Sequence, residues 1–146
     1  MKNFLKSVIV LFSCLSILIS PLTANAENVG ATSRSGGSFT STSWLWCPSN
    51  TKPEGPYQTY LRDETGTYFV CANKGFISVN LHFLDKGDYG VQIHDGKGNA
   101  VDGTYESNTD WISISFDGLD AGVYRIAVYN YNQGGTYIKD YSINWY

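Results

Sequence analysis

The sequence predicts an all-β domain, an antiparallel β-sandwich of jelly-roll or Greek-key type with about eight strands. Three observations predict it. Apolar and polar residues alternate with a period of two in "FISVNLHF", "WISISF" and "VYRIAVYNY", the period of a strand with one buried face. Turn signals rich in glycine, aspartate and asparagine recur between such runs, at spacings of about eight to twelve residues. No segment keeps a helical period over a convincing length. Two inner faces packed together would give such a chain its core.

Taken in order, residues 1–26 are expected to be a signal peptide. Lys2 and Lys6 give a positive start, "SVIVLFSCLSILI" an apolar run, and Ala24 and Ala26 the small residues of a cleavage site. A lipid-attachment reading of Cys14 fits less well, because Phe12 is a poor neighbour and that cut would leave "LSILI" on the mature chain. No second apolar run of membrane length follows, so a secreted, extracellular protein is expected, with no membrane contact after cleavage. Residues 27–43 are rich in Gly, Ser and Thr and read as a flexible lead-in whose last residues join a sheet edge. The sandwich domain is placed at 44–146.

"WLWC" opens that domain, and "PSNTKPEGP" is a loop, since prolines cannot donate ladder hydrogen bonds. "YQTYLRD" and "TYFVCAN" read as strands. "FISVNLHF" follows with Ile77, Val79, Leu81 and Phe83 inward, and "LDKGD" is expected to turn the chain. "YGVQIH" points Tyr89, Val91 and Ile93 inward, and "DGKGN" is a dense turn signal. "AVDGTY" reads as a short edge strand. "WISISF" points Ile112, Ile114 and Phe116 inward. "DGLDAG" turns into "VYRIAVYNY", with Tyr124, Ile126 and Val128 inward. "NQGG" turns into the closing "TYIKDYSINWY".

Cysteine use follows from export. Cys14 leaves with the signal, and Cys47 and Cys71 remain. Two cysteines in an oxidising compartment most simply form one disulfide, whose closed loop would stabilise the fold by about 3.5 kcal/mol. Two buried free thiols are the alternative. The chain carries 10 basic and 13 acidic residues, a formal charge of −3, and losing Lys2 and Lys6 takes it to −5. That balance repels phosphate backbones, so nucleic acid is not an expected partner.

Motifs of catalysis are missing. There is no G-x-S-x-G turn, no H-E-x-x-H and no phosphate loop before a helix. His94 and Asp95 are neighbours on a strand and so point to opposite faces. An enzyme is not expected, and no cofactor is required. Calcium is the one candidate cation. Asp85, Asp88 and Asp95 lie in glycine-containing turns that offer oxygen ligands, yet Asp and Gly are equally what the turns themselves require.

Aromatic content is the main functional hint. Four tryptophans and eleven tyrosines exceed what one core can hold beside its aliphatic residues. With Tyr124 inward, Tyr129 and Tyr131 point outward with Arg125, and Trp111 falls away from Ile112. Such rings suit sugar rings or extended peptides, although cross-strand pairing alone also uses them.

The second half, Phe69 to Tyr146, resembles the bacterial pre-peptidase C-terminal domain family and related collagen-binding sandwich domains. The resemblance rests on Phe116, Leu119, Gly122, Tyr124 and Val128, which fit "F-x-x-L-x-x-G-x-Y-x-x-x-V", and on the hairpin "FISVNLHFLDKGDYGVQIHDGKGN". It implies a non-catalytic appendage used for attachment or secretion. The expected function is therefore a secreted, monomeric binding module for an extracellular polysaccharide or extended protein, with Trp111, Tyr129, Tyr131 and Arg125 as the binding residues. The alternative is a secreted antagonist, a bacteriocin-like toxin or protease inhibitor acting through "CPSNTKPEGP".

Overall fold

Two strands of unusual length organise the fold. The computed structural model describes residues 36–51, 57–64, 66–67, 69–71 and 74–146. The expected signal peptide, most of the lead-in and the middle of "CPSNTKPEGP" lie outside the described residues. Eight strands follow in order: β1 (Gly37–Ser41), β2 (Leu45–Cys47), β3 (Thr59–Tyr60), β4 (Phe69–Cys71), β5 (Gly75–Asp95), β6 (Ala100–Leu119), β7 (Gly122–Asn130) and β8 (Thr136–Trp145). All named pairs are antiparallel, and no helix occurs among the described residues. None of the described residues forms a helix able to cross a membrane.

The eight strands form one sheet rather than two. β5 spans 21 residues and β6 spans 20, against about five or six for an ordinary strand. The first part of β5 pairs with β8, and β8 with β1 and β2. Its second part pairs with β7, which carries β3 and β4. β6 flanks β5 along both parts and forms a free edge. The sheet therefore curls over along β5 and β6 into a half-barrel. Phe69 of β4 meets Trp145 of β8 edge-on, with ring centroids 5.1 Å apart. The Tyr141 hydroxyl of β8 donates to the Arg62 carbonyl beyond β3 at 2.8 Å.

The corner corrects the expected turn at "LDKGD". The chain does not reverse there, and β5 runs straight through with register shifts against β6 between His82 and Tyr89. "AVDGTY" and "WISISF" are likewise one strand, at the sheet edge. A bulge uses the same Asp and Gly residues as a turn, but it bends a strand instead of ending it. Here the bend is fixed by hydrogen bonds. Tyr89 donates its hydroxyl to the Asp85 carbonyl (2.8 Å), and Thr136 donates to the Asp85 carboxylate (2.7 Å). The Asp88 amide donates to the Asn132 side chain, and the Asn108 amide to the Asp88 carboxylate, both at 3.0 Å. Asn108 adopts φ 51°, in the left-handed region that Asn tolerates. Gly87 is required because a Cβ there would lie 2.3 Å from the Asn132 side chain.

Inside the curl sits one core. Ile77, Val79, Leu81, Phe83, Tyr89, Val91, Ile93, Ile112, Phe116, Tyr124, Ile126 and Val128 are buried, with Ile114 packed against them. The alternation thus places the inward residues where the sequence puts them. Shorter than expected are β3 and β4, two and three residues within "YQTYLRD" and "TYFVCAN". The lead-in extends the sheet, because β1 adds to the edge of β8.

The expected disulfide is not formed: Cys47 and Cys71 are both buried and free. β7 explains why. Cys71 pairs with Gly122 at its start, whereas the Cys47 carbonyl accepts from Asn130 at its end (3.2 Å). Eight strand residues separate those points by about 26 Å, and a disulfide needs Cα atoms within about 7 Å.

Candidate functional site

Strand register assembles a tyrosine-rich outer face on the β3–β7–β5–β6 side of the half-barrel. Residues alternate across each strand, so Val91, Ile93, Ile126 and Val128 enter the core while their neighbours look out. One row across the sheet is Tyr60, Ala127, Gln92 and Gly103. The next is Tyr129, Gly90 and Tyr105. Gly90 leaves room in the middle of its row, and Tyr131 fills it. A Cβ on Gly90 would lie 3.1 Å from the Tyr131 ring.

Three tyrosines consequently line up. The rings of Tyr129 and Tyr131 lie 6.3 Å apart and nearly parallel, at 12°, and Tyr131 lies 5.6 Å from Tyr105. Tyr105 is 56% exposed and Tyr131 37%. Alongside, the Arg125 guanidinium sits 4.5 Å from the centre of the Tyr60 ring, within cation–π range.

His94 locks this face from beneath. It is buried; its Nε2 lies 3.2 Å from Gln92 Oε1 and 3.3 Å from the Tyr129 hydroxyl, and its Nδ1 lies 3.3 Å from the Tyr60 hydroxyl. The Gln92 amide oxygen only accepts, so Nε2 carries the ring proton and Nδ1 accepts from Tyr60. Gln58 completes the chain by donating to the Tyr60 oxygen at 3.1 Å. Burial, then the nearby Arg125 charge, hold His94 below its ordinary pKa of 6.5. Burial raises the Tyr129 phenol above its ordinary 10. Arg125 brings a positive charge to this face, and Asp88 a negative one beside the Tyr105 hydroxyl.

Tyr129, Tyr131 and Arg125 therefore share one face, whereas Trp111 does not join them. Trp111 is opposite His82 in the register, on the outer face of the other half. Its ring lies 5.6 Å from the His82 ring, and His82 Nδ1 lies 3.2 Å from Asp140 Oδ2. Short polar residues surround it in register: Asn80 pairs with Ser113 and Ser142, and Ser78 with Ser115 and Asn144. The two outer faces back onto the same core and look apart.

A third aromatic group was not singled out by the sequence reading. Trp44 and Trp46 lie against Tyr137 from two sides, at 5.5 and 4.9 Å. Trp44 is 60% exposed and Trp46 50%. A Cβ on Gly135 would fall 2.2 Å from the Trp46 indole, so Gly135 makes its seat. The signal was present as "WLW": a period of two puts both indoles on one face and Leu45 on the other.

The three aspartates proposed for calcium do separate work. Asp85 and Asp88 hold the corner, as described. Asp95 lies seven residues beyond Asp88 along β5, about 23 Å away. Its carboxylate accepts from the amides of Lys97 and Asn99, each at 2.8 Å, and from the Asn99 side chain at 3.0 Å. Those bonds lower its pKa and close the hairpin turn. Among the described residues, no three His, Cys, Asp or Glu gather as a metal group.

No protein-family model matches the chain, and no curated protein matches it either. Among solved structures, the chain is similar to the pre-peptidase C-terminal domain of collagenase from Bacillus anthracis, the family its sequence resembles. Identity is 21%, over 62% of this chain and 86% of that one, at a TM-score of 0.37. It is similar to the C-terminal CBM6 of LamC, a marine laminarinase from Zobellia galactanivorans (13% identity, 69% and 98% covered, TM-score 0.34). It is also similar to TmCBM61, whose structure holds β-1,4-galactotriose (12% identity, 78% and 88% covered, TM-score 0.33).

Proposed function

We propose that this chain is an exported, non-catalytic module that binds an extracellular polysaccharide along its tyrosine face. The observation that carries the reading is the Tyr129–Tyr131–Tyr105 row over Gly90, with Arg125 and Tyr60 beside it. Tyrosines offer flat apolar area for the C–H faces of sugars and hydroxyls for their rims, at little cost in side-chain entropy. His94 sets Tyr129 and Tyr60 before any ligand arrives, which lowers the ordering cost of binding.

The non-catalytic part of the reading is supported by the nucleophiles at hand. Burial pushes the Cys47 thiol up to about 11 and raises that of Cys71 as well, the opposite of an activated cysteine. His94 spends both ring nitrogens on the tyrosine network. Retention of the purified mature chain on insoluble polysaccharides tests the proposal. Wild-type protein is expected to be held by at least one, and Tyr131→Ala to lose about tenfold in affinity. Retention on denatured protein matrices alone would replace polysaccharide with extended protein as the ligand. No retention on any polymer would overturn the proposal.

A further inference from the structure

The half-barrel fails to close between β1–β2 and the segment after β3, and that seam holds a cleft of about 170 Å³. β1 and β2 both pair with β8, but the chain leaves the ladder between Ser41, opposite Tyr141, and Leu45, opposite Ile138. Four residues of chain thus cover three of β8, a bulge at the sheet edge. The Ser43 amide donates to the Ser41 hydroxyl at 3.2 Å, and Trp44 is pushed out of the edge. Across the seam, the Leu61 amide donates to the Ile126 carbonyl at 3.0 Å, and the chain then carries Arg62 and Asp63 to the cleft. Phe39 and Tyr141, with rings 6.2 Å apart, also line it.

We propose that this seam cleft is a second binding site, which takes a single neutral sugar ring. Trp44 is its stacking wall; Ser43, Arg62 and Asp63 are its hydroxyl partners. The chemistry of the lining selects that ligand. An exposed indole beside polar groups matches a pyranose, which is apolar on one face and hydroxylated around its rim. Arg62 and Asp63 both line the cleft and bring donors and acceptors to it together, the Asp63 carboxylate also accepting from the Gly66 amide at 3.0 Å. Hydroxyls use both, whereas an anion would meet Asp63 and a cation Arg62. The volume admits about one ring and falls below the range of roughly 300–1,000 Å³ typical of drug-sized ligands. The site does not depend on the tyrosine face, since its ligand is a free or terminal ring rather than a polymer surface.

Titration of the isotope-labelled full mature chain tests this, read at the Trp44 indole N–H signal, which Trp44→Phe identifies. Glucose, galactose, mannose and N-acetylglucosamine are each added to about 50 mM, well above the millimolar affinity expected of one stacked ring. At least one sugar is expected to shift the Trp44 signal saturably. Arg62→Ala should weaken that sugar about tenfold, as for loss of a charged hydrogen bond. Tyr131→Ala should leave it unchanged, which separates this site from the polymer-binding face. Failure of all four sugars to move Trp44 would overturn the proposal. So would a shift that survives Arg62→Ala and Asp63→Ala undiminished in folded protein. Polymer retention by Trp44→Ala reports on the tyrosine face alone, so the two proposals fail independently.

Discussion

The two outer faces of the half-barrel share a backbone plan and differ in what stands on it. On the Trp111 side, Ser78, Asn80, Ser113, Ser115 and Ser142 make a field of short polar side chains around one exposed indole. On the other side, Gly90 takes the middle of a row flanked by Tyr129 and Tyr105, and Ala127 stands beside Tyr60 in the next row. Around Trp111 the first face offers little flat area, and its larger aromatic surface lies apart from Trp111, at Trp44, Trp46 and Tyr137 beside β8. The second combines flat rings with a hydrogen-bonded undercarriage. An aromatic residue on a strand becomes part of a binding surface only when its cross-strand neighbours leave room for, and then fix, its ring. Trp111 meets the single ring of His82 amid short polar residues; Tyr131, seated over Gly90, lies between Tyr129 and Tyr105.

The largest expected effect strikes what both halves share. Asn130, fully buried, donates to the Cys47 and Gly134 carbonyls and accepts twice from Asn132, which in turn holds Asp88 at the corner. Asn130→Ala should cost about 3 kcal/mol in urea unfolding, since several buried groups lose partners at once. A cost under about 1 kcal/mol would mean the corner does not depend on this network.

A smaller, pH-dependent effect belongs to the tyrosine half alone. The fold holds His94 below 6.5, so below that pH the unfolded chain takes up the proton first. Stability contributed by neutral His94 is therefore whole above about pH 6.5, declines as pH falls toward the folded value, and levels off beneath it. His94→Gln should remove this decline when the two proteins are compared by thermal melts across that window. Equal slopes would show that His94 is not held neutral by the fold.

Much of this was legible in the chain, for physical reasons that differ by element. The inward residues of β5, β6 and β7 announce themselves because burial of one face imposes a period of two. The corner did not, because Asp85, Gly87 and Asp88 serve a bulge as readily as a turn, and only pairing with β6 and Asn132 decides between them. The pairing of Cys47 with Cys71 was inferred from their number, yet it depends on where each lands along β7. The grouping of Trp111 with Tyr129 and Tyr131 failed for a like reason: "outward" names a side of a strand, and a curled sheet has two outsides. Gly90 between Tyr129 and Tyr105 is set by register over long sequence separations, which no local pattern carries. Trp44 and Trp46 were readable from "WLW" and were passed over as the mere start of the ordered region.

Gly90→Ala probes the seat of Tyr131 more gently. Its Cβ would meet a partly exposed ring 3.1 Å away, which shifts at a cost of about 0.5 kcal/mol or less, detectable as a change in Tyr131 ring signals. Smallest of all is the effect of a reductant. With Cys47 and Cys71 at opposite ends of β7, dithiothreitol should leave the melting temperature unchanged. A fall of about 10 °C or more would reveal a bridge worth several kcal/mol.

The contrast between the faces is tested most directly by polysaccharide affinity electrophoresis of Tyr105→Ala/Tyr131→Ala beside Trp111→Ala. The account predicts that the double variant migrates as if no polymer were present, while Trp111→Ala is retarded within about twofold of wild type. Equal retardation of the double variant and wild type, or loss of retardation in Trp111→Ala alone, would contradict it.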